Sequence, residues 1–307
     1  MAAMTAAHRP IPLGTKLLLI ALLLLFSVTT IAPLFWMLST SLKRPGVPYT
    51  DFLPGTPTFE NYRKVFEAMP FGRFYFNSIF IAVAVTFGQV FTSALAGFAF
   101  ARLEFPGRNK LFLAYLGTMM IPGAVTMVPR FMIFTRIPEH LNHAFHTSYF
   151  TDETYFLGRW FAGAPVGMDS FFVLIVPMLF SPYGTFLMRQ FFLGIPKELD
   201  EAAMIDGCSR FQVFRWIALP LSKPALATLA TFTFMTCWRS FIWPLIMTNA
   251  MEMRTLPVGL AAFMGTYATD WPLLMAGAMM MIIPMILVFL ICQRFFVRGI
   301  RLGAVKG

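Results

Sequence analysis

Residues 195–224 read IPKELDEAAMIDGCSRFQVFRWIALPLSKP and contain the signals of two short helices joined at a glycine. Pro196 suits the first position of a helix, where its missing N–H costs nothing. Gly207 can adopt the left-handed conformation that ends a helix. Carboxylates in the first turns complement the positive end of the helix dipole, namely Glu198, Asp200 and Glu201. The stretch therefore predicts a first short helix that stops at Gly207.

A second helix is predicted directly after the glycine. Ser209 followed by Gln212 resembles a capping box, and Pro220 is expected to end the helix. The apolar surface of this helix would come from Phe211, Phe214, Trp216 and Ile217. The product is a helix–glycine–helix elbow, in which the small Ala202 and Ala203 would let another protein approach closely. From local physics alone, an amphipathic loop that rests on lipid headgroups remains an alternative.

The rest of the chain is that of a membrane protein. Of its 307 residues, 58% are hydrophobic and 12% are charged, which does not fit a water-soluble fold. A helix needs about 20 mostly apolar residues to cross the hydrocarbon core. Six runs of that length predict an all-α polytopic bundle: 17–38, 77–101, 111–129, 170–188, 225–247 and 271–293. The first run is too long for the core of a secretory signal, so we interpret it as a retained helix.

Orientation follows from the loops, because lysine and arginine concentrate on the cytoplasmic side. With the N-terminus inside, the inner segments hold 14 of these residues and the longer outer loops hold nine. Both termini are predicted to be cytoplasmic, with an N-terminal segment 1–16, a transmembrane domain 17–298 and a tail 299–307. The net charge of +10 lies mostly inside, facing anionic lipid, and does not require nucleic acid.

Cysteine and histidine patterns predict neither a disulfide framework nor a metal site. The cysteines occur in an inner loop or in helices, at positions Cys208, Cys237 and Cys292. Three histidines recur in the second large outer loop, at His140, His143 and His146 beside Glu139, and zinc is the metal to consider there. On one helix the first and third would point apart, so a solvated or docking surface is the preferred interpretation. No catalytic triad spacing is present.

The elbow resembles the E-A-A…G…I-x-L-P signature of binding-protein-dependent ABC permeases. The matching positions are Glu201, Ala202, Ala203, Asp206, Gly207, Ile217, Leu219 and Pro220. Further stretches resemble the carbohydrate-uptake branch of that family, in the manner of the smaller permease subunit of the maltose importer: 38–43, 59–62, 76–78, 94–102, 243–245, 296–299 and 303–307. Residues 138–167 are the least typical and resemble an insertion.

This resemblance implies a type I importer permease, six-helix domain 17–298, in the bacterial inner membrane. It implies that the coupling loop 195–224 sits in a cleft of a cytoplasmic ATPase. Since the chain has no G-x-x-x-x-G-K-[ST] phosphate loop, we expect no enzyme activity and no bound cofactor here, with ATP and magnesium in the partner ATPase. The implied partners are that dimeric ATPase, a second homologous permease, an extracytoplasmic solute-binding protein and membrane lipid. The tail would reach the ATPase through Gly303, Ala304, Val305, Lys306 and Gly307.

The solute pathway is less defined by sequence. A charged residue inside a predicted span is a candidate for a functional role, and Arg239 is such a residue. With its neighbours Trp238, Ser240 and Trp243 it forms the candidate pathway group. An anionic sugar derivative or sugar phosphate steered by Arg239 is one hypothesis, and an arginine that snorkels to the outer interface is the other. The outer segment 248–270 is expected to meet the binding protein. A secondary transporter is the alternative class.

Prolines recur inside the predicted spans, where broken helices suit a transport pathway. They stand at Pro33, Pro122, Pro177, Pro244 and Pro284. Prolines are also common in structural membrane helices, so the pattern by itself leaves open which of them break a span.

Overall fold

A computed structural model of the protein describes residues 12–44, 47–48, 51–150, 154–155, 162–264 and 270–304, with backbone alone from 294 onward. This part of the chain is helical, which confirms the predicted all-α class. Its α-helices are α1 (Leu13–Ser41), α2 (Glu60–Ala68), α3 (Phe71–Arg102), α4 (Arg108–Gly117), α5 (Gly123–Phe145), α6 (Phe171–Ile175), α7 (Pro182–Leu193), α8 (Lys197–Ile205), α9 (Arg210–Val213), α10 (Leu219–Leu221), α11 (Lys223–Trp238), α12 (Ile242–Met247), α13 (Leu256–Ala261) and α14 (Trp271–Ala304). A minimal antiparallel pairing joins β1 (Thr154–Tyr155) to β2 (Ala162–Gly163).

Three described helices are long and apolar enough to cross a membrane unbroken. They are α1, α3 and the part of α14 from Trp271 to Gln293. Three bent pairs pass the same test together: Arg108–Met120 with Gly123–Phe145, Phe171–Met178 with Pro182–Leu193, and Arg210–Leu221 with Lys223–Trp238. Six crossings, the number predicted, result when each bent pair counts as one.

The third predicted span differs from expectation. Run 111–129 is divided, because Arg108–Met120 and α5 meet at 99°. Ile121 is extended, with φ −80° and ψ 118°, as expected for a residue that precedes a proline, and Pro122 has no N–H to continue the ladder. Helix α5 then runs on to Phe145. The outer segment predicted to be a loop from residue 130 onward is therefore helical over its first part.

Two further predicted runs are interrupted. In run 170–188, Phe171–Met178 and α7 meet at 41°, with Pro182 in the first turn of α7. In run 225–247, α11 ends at Trp238 and α12 begins at Ile242. Pro33 and Pro284, by contrast, lie inside the unbroken helices α1 and α14. Proline alone therefore does not decide where a span breaks.

The chain divides into two compact units, 1–67 with 263–280 and 68–262 with 281–307. In the first unit, the turn after α1 closes around Lys43, whose Nζ donates to the carbonyl oxygens of Pro48 (3.2 Å) and Asp51 (2.5 Å). The Asn61 amide donates to the carbonyl oxygen of Lys43 at 2.7 Å. These bonds hold the start of α2 against the turn.

The second unit is built on α3, which packs along α7 and α11. Gly97 marks a close approach of α3 to α7, because a Cβ there would lie 2.7 Å from the Cβ of Met188 and 2.9 Å from the backbone nitrogen of Arg189. Small residues at such crossings are the usual way in which membrane helices approach each other. Just beyond, Phe98 meets Phe192 edge-on at 5.7 Å between ring centroids. This packing fixes the C-terminal end of α3, on which the elbow rests.

Candidate coupling site

The elbow has the geometry that its sequence predicts. Helix α8 ends at Ile205, and Gly207 follows with φ +87°, in the left-handed region. The hydroxyl of Ser209 accepts from the backbone N–H of Gln212, and the Gln212 side chain accepts from the N–H of Ser209, so the capping box is confirmed. Pro196 lies one position earlier than expected, as the residue that precedes α8.

Helix α8 divides its residues between two faces. One face is exposed and carries Glu198, Glu201, Ala202 and Ile205, the last with 86% of its surface accessible. These positions follow the i, i+3, i+4, i+7 spacing of one helical stripe. Ala203 lies on the opposite face and packs with Val213, Phe214 and Phe98 in the core of the second unit. Of the two small alanines expected to admit another protein, Ala202 is available for such a contact and Ala203 is not.

A buried ion pair fastens α8 to the end of α3. The Nε of Arg102 lies 3.1 Å from a carboxylate oxygen of Asp200, and the two side chains are 4% and 8% exposed. The Nη2 of Arg102 also donates to the carbonyl oxygen of Ile195 at 2.6 Å. Asp200 stands three residues before Ala203, so both lie on the inward face of α8. This spacing is the only signal in the sequence that Asp200 is buried and paired. Sequence reasoning assigned Asp200 to the helix dipole and missed the pair.

The second arm of the elbow departs from prediction in one respect. Helix α9 passes through a π-helical turn, Phe214–Ala218, into α10, and the helical segment continues to Leu221. Pro220 lies one residue before the helical segment ends at Leu221, where the chain bends by 77° into α11, so the end predicted at Pro220 is displaced by one residue. Ile217 and Leu219 pack against the same core as Phe214, while Pro220 is exposed. Asp206 follows the last residue of α8 and is exposed.

A cleft of about 610 Å³ opens beside the elbow. Its walls include Asp200, Glu201 and Met204 of α8. Basic side chains also line it, namely Arg102, Arg108, Lys197 and Arg210. The elbow therefore presents an exposed helical stripe with a charged, water-accessible cleft next to it.

The four candidate pathway residues occupy different environments. Trp238 is 1% exposed, stacks on Phe234, and donates its indole N–H to the carbonyl oxygen of Met281 at 3.0 Å. Arg239 directly follows α11, is exposed, and donates through Nε to the carbonyl oxygen of Met235 at 3.2 Å. The nearby cavity is lined by Trp238, Ser240 and Trp243 and measures about 10 Å³, room for roughly one water.

The outer segment 248–270 is fixed at its start by Asp169, a residue that sequence reasoning did not single out. One carboxylate oxygen of Asp169 accepts the backbone N–H groups of Asn249 (2.7 Å) and Ala250 (2.8 Å). The N–H of Asp169 itself donates to the carbonyl oxygen of Met247 at 2.9 Å, and its φ is +55°. Asp169 thus joins the end of the second large outer loop to this segment.

Helix α3 also holds the same outer segment. The Nε of Arg73 donates to the carbonyl oxygen of Glu252 at 2.9 Å, and the amide of Asn77 donates to the same oxygen at 2.7 Å. The Ser78 hydroxyl accepts the N–H of Leu256 at 2.7 Å. Residues 249–256 are therefore anchored by side chains of two other elements.

The remaining candidate residues are only partly described. Gly303 and Ala304 continue α14 as backbone, and Val305, Lys306 and Gly307 lie outside the described residues. His140 and His143 lie on α5, and His146 follows it with φ +51°. Within the described residues, no group of three or more histidine, cysteine, aspartate or glutamate side chains could hold a metal ion. Residues 151–153 and 156–161 of the insertion 138–167 also lie outside the described residues.

Comparison with known proteins identifies the family of this chain. Residues 93–302 match the family described as binding-protein-dependent transport system inner membrane component. The arabinooligosaccharides transport system permease protein AraQ of Halalkalibacterium halodurans is 33% identical over 270 residues, which cover 88% of this chain and 86% of AraQ. The sn-glycerol-3-phosphate transport system permease protein UgpE of Brucella abortus is 32% identical, covering 86% of each chain.

Among solved structures, a bacterial ABC transporter involved in the import of the acidic polysaccharide alginate has a similar fold. The TM-score is 0.73 at 21% sequence identity, and the match covers 94% of this chain and 99% of that one. The family match and the six possible crossings define a multi-pass transport subunit of the inner membrane. The chain belongs to the binding-protein-dependent transport system inner membrane component family, the permeases of ABC importers. The resemblance drawn from the elbow is confirmed.

Proposed function

We propose that this chain forms half of the translocation pathway of an ATP-driven importer for a sugar or sugar-like solute, delivered by an extracytoplasmic binding protein. The elbow is the observation that carries the proposal. In its exposed stripe, the small Ala202 lies beside Ile205, a large apolar residue that is not buried. An exposed apolar residue of this kind is suited to contact with another protein. The naming of AraQ for arabinooligosaccharides supports a sugar as the solute.

The elbow is the contact with a separate cytoplasmic ATPase, which binds ATP and magnesium. Glu201, Ala202 and Gly207 transmit movement there and do no chemistry. The tail 303–307 makes a second contact with the same ATPase. Both termini are cytoplasmic, in keeping with the excess of basic residues in the inner segments. A second, homologous permease completes the pathway.

The energy source tests the proposal against the alternative of a secondary transporter. In cells that express the complete system, we expect uptake of the solute to collapse when ATP is depleted and to persist when the proton gradient is dissipated with ATP maintained. Initial rates of radiolabelled solute uptake measure both. Uptake that follows the proton gradient and ignores ATP would contradict the importer function.

Asp169 positions the outer segment that meets the binding protein. Replacing Asp169 by alanine removes two hydrogen bonds to a charged acceptor, each worth about 1.5–3 kcal/mol. We expect binding-protein stimulation of ATP hydrolysis to fall several-fold, with basal hydrolysis unchanged. Glu67→Ala removes an exposed carboxylate from α2, in a surface pair with Arg63, and is the matched control. Equal stimulation in Asp169→Ala and in the unaltered importer would remove this segment from the docking surface.

An anionic sugar derivative is the second candidate solute. The observation that favours it is the exposed guanidinium of Arg239, which directly follows α11. UgpE is named for sn-glycerol 3-phosphate, so an anion is compatible with the family. If Arg239 steers an anion, Arg239→Gln is expected to lower the initial rate of uptake at low ionic strength by about tenfold. Unchanged uptake of sn-glycerol 3-phosphate and of anionic sugars in this variant would leave Arg239 as an interfacial anchor.

A further inference from the structure

The second arm of the elbow, residues 209–221, has an exposed face that the proposed ATPase contact on α8 does not use. The buried face of the arm consists of Val213, Phe214 and Ala218, which pack into the core of the second unit. On the opposite face, Phe211 is 62% exposed and Trp216 is 66% exposed. The outer face of a helix in water is normally polar. Two exposed aromatic side chains on one short arm therefore indicate a contact with something other than water.

The two arms of the elbow differ in charge. The first arm, residues 197–206, carries four carboxylates and a single lysine. Residues 207–224 include no acidic residue and three basic ones, Arg210, Arg215 and Lys223, all of which are exposed. An anionic surface would repel the first arm and attract the second. The two arms are therefore suited to different partners.

The second arm bends away from the span that follows it. The helical segment Arg210–Leu221 and α11 meet at 77°. The bend is held at Ser222, whose N–H and hydroxyl both donate to the carbonyl oxygen of Ala218, at 3.1 Å and 2.7 Å. When α11 crosses the bilayer with the usual tilt of about 20°, the arm lies within roughly 35° of the membrane plane. This is the orientation of a helix that lies in the interface.

The exposed side chains of the arm are those of a membrane–water interface. The guanidinium carbon of Arg215 lies 5.2 Å from the ring centroid of Trp216, a cation–π contact. Tryptophan is enriched at the level of the headgroups because its ring is amphipathic. Each lysine or arginine near an anionic leaflet strengthens binding about fivefold, which corresponds to about 1 kcal/mol. The arm therefore combines an apolar and a basic contribution to binding a negatively charged bilayer.

We infer that the second arm is a membrane anchor that binds the headgroups of anionic phospholipids. Phe211 and Trp216 enter the headgroup layer, and Arg215 and Lys223 pair with lipid phosphates. The elbow then has two partners, because α8 meets the ATPase and the second arm meets lipid. Phe214 of the arm and α8 pack in one core, so the anchor holds α8 at a set depth relative to the membrane. The inference rests on the proposed function in placing the elbow at the cytoplasmic face, where anionic lipid concentrates.

Quenching of a fluorophore on the arm tests the inference in the complete importer. In a chain whose three cysteines are replaced by alanine, Phe211→Cys is introduced and its thiol is labelled with a small fluorophore. The importer is reconstituted in proteoliposomes of phosphatidylglycerol and phosphatidylcholine. One quencher is a phospholipid that carries a nitroxide close to its headgroup, and the other is iodide, which stays in water. We expect the nitroxide lipid to quench this label several-fold more strongly than iodide does.

Asn109→Cys is the matched control, because Asn109 is an exposed polar residue of α4 that stands between two basic residues. Its label should be quenched mainly by iodide. A label at position 211 that iodide quenches equally well would place the arm in water and overturn the inference. A label that neither quencher reaches would place the arm against the ATPase or the second permease and overturn it as well. The lipid contact does not need the ATPase, so a preparation without an ATPase would count against the proposed function alone.

The charge of the lipid is tested with the same label. At equal mole fraction, nitroxide-labelled phosphatidylglycerol should quench it several-fold more than nitroxide-labelled phosphatidylcholine, because the anionic lipid collects at the arm. Arg215→Gln/Lys223→Gln should lower this preference at least fivefold, since each basic residue contributes about that factor. The matched control is Arg63→Gln/Lys64→Gln, which removes two basic residues that each pair with a glutamate of α2, and it should leave the preference unchanged. Equal quenching by the two lipids in the importer with both basic residues intact would overturn the inference of an anionic-lipid site.

Discussion

Replacing Gly207 by valine is expected to reduce uptake to less than about one tenth of normal and to release the ATPase during purification. At φ +87° a β-branched residue is strained by roughly 1–2 kcal/mol, although nothing lies within 4 Å of the position that its Cβ would take. We expect the turn to rotate and relieve that strain, which would swing α8 away from the orientation that presents Glu201 and Ala202. Uptake in membrane vesicles and mass spectrometry of the proteins that remain bound measure the two effects.

Gly107 provides a matched control for this change. It has φ +78°, and an added Cβ there also meets nothing within 4 Å. It precedes α4 and lies outside the elbow. Gly107→Val should therefore lower the thermal stability by a similar amount, while it retains the ATPase and most of the uptake. Retention of the ATPase by Gly207→Val, or equal loss in both variants, would mean that the elbow is not the coupling contact.

Replacing Arg102 by methionine is expected to have the largest effect on stability. Removing one partner of a buried ion pair costs about 3–5 kcal/mol, because the other charge is left without compensation. The change also removes the bond to the carbonyl oxygen of Ile195. We expect a clear fall in the thermal unfolding temperature in detergent, together with weaker ATPase retention, since α8 loses its link to α3.

The double variant Arg102→Met/Asp200→Leu separates the cost of an unpaired buried charge from the loss of the link between α8 and α3. Replacing both members of a buried pair by apolar residues is often close to neutral, so the unfolding temperature should recover substantially. Exposed pairs are worth much less, and Lys64→Met at the exposed pair with Glu60 on α2 should change the unfolding temperature little. Equal unfolding temperatures for Arg102→Met and for the unaltered chain would show that the pair does not hold α8 in place.

Interior prolines show the limit of what a span's own sequence reveals. Pro122 stands at a sharp break and Pro284 stands inside an unbroken helix, although both lie in apolar runs. The residues around Pro122 include a glycine directly after it, while Pro284 is flanked by isoleucine and methionine, which are stronger helix formers. Whether a proline breaks its span also depends on the neighbouring helices, because these can provide hydrogen-bond partners for the backbone groups that the proline leaves unpaired.

The sequence by itself determined the membrane class, the all-α fold, the elbow and the family. These features depend on composition and on signals within about four residues, such as the glycine at position 207 and the cap from Ser209 to Gln212. Tertiary structure alone decided that Arg102 pairs with Asp200, that Asp169 holds residues 249 and 250, and that Gln89 meets Thr233. Those partners stand about 80 to 144 positions apart in the chain. Their side chains meet because the helices pack in one arrangement, and no local pattern encodes that arrangement.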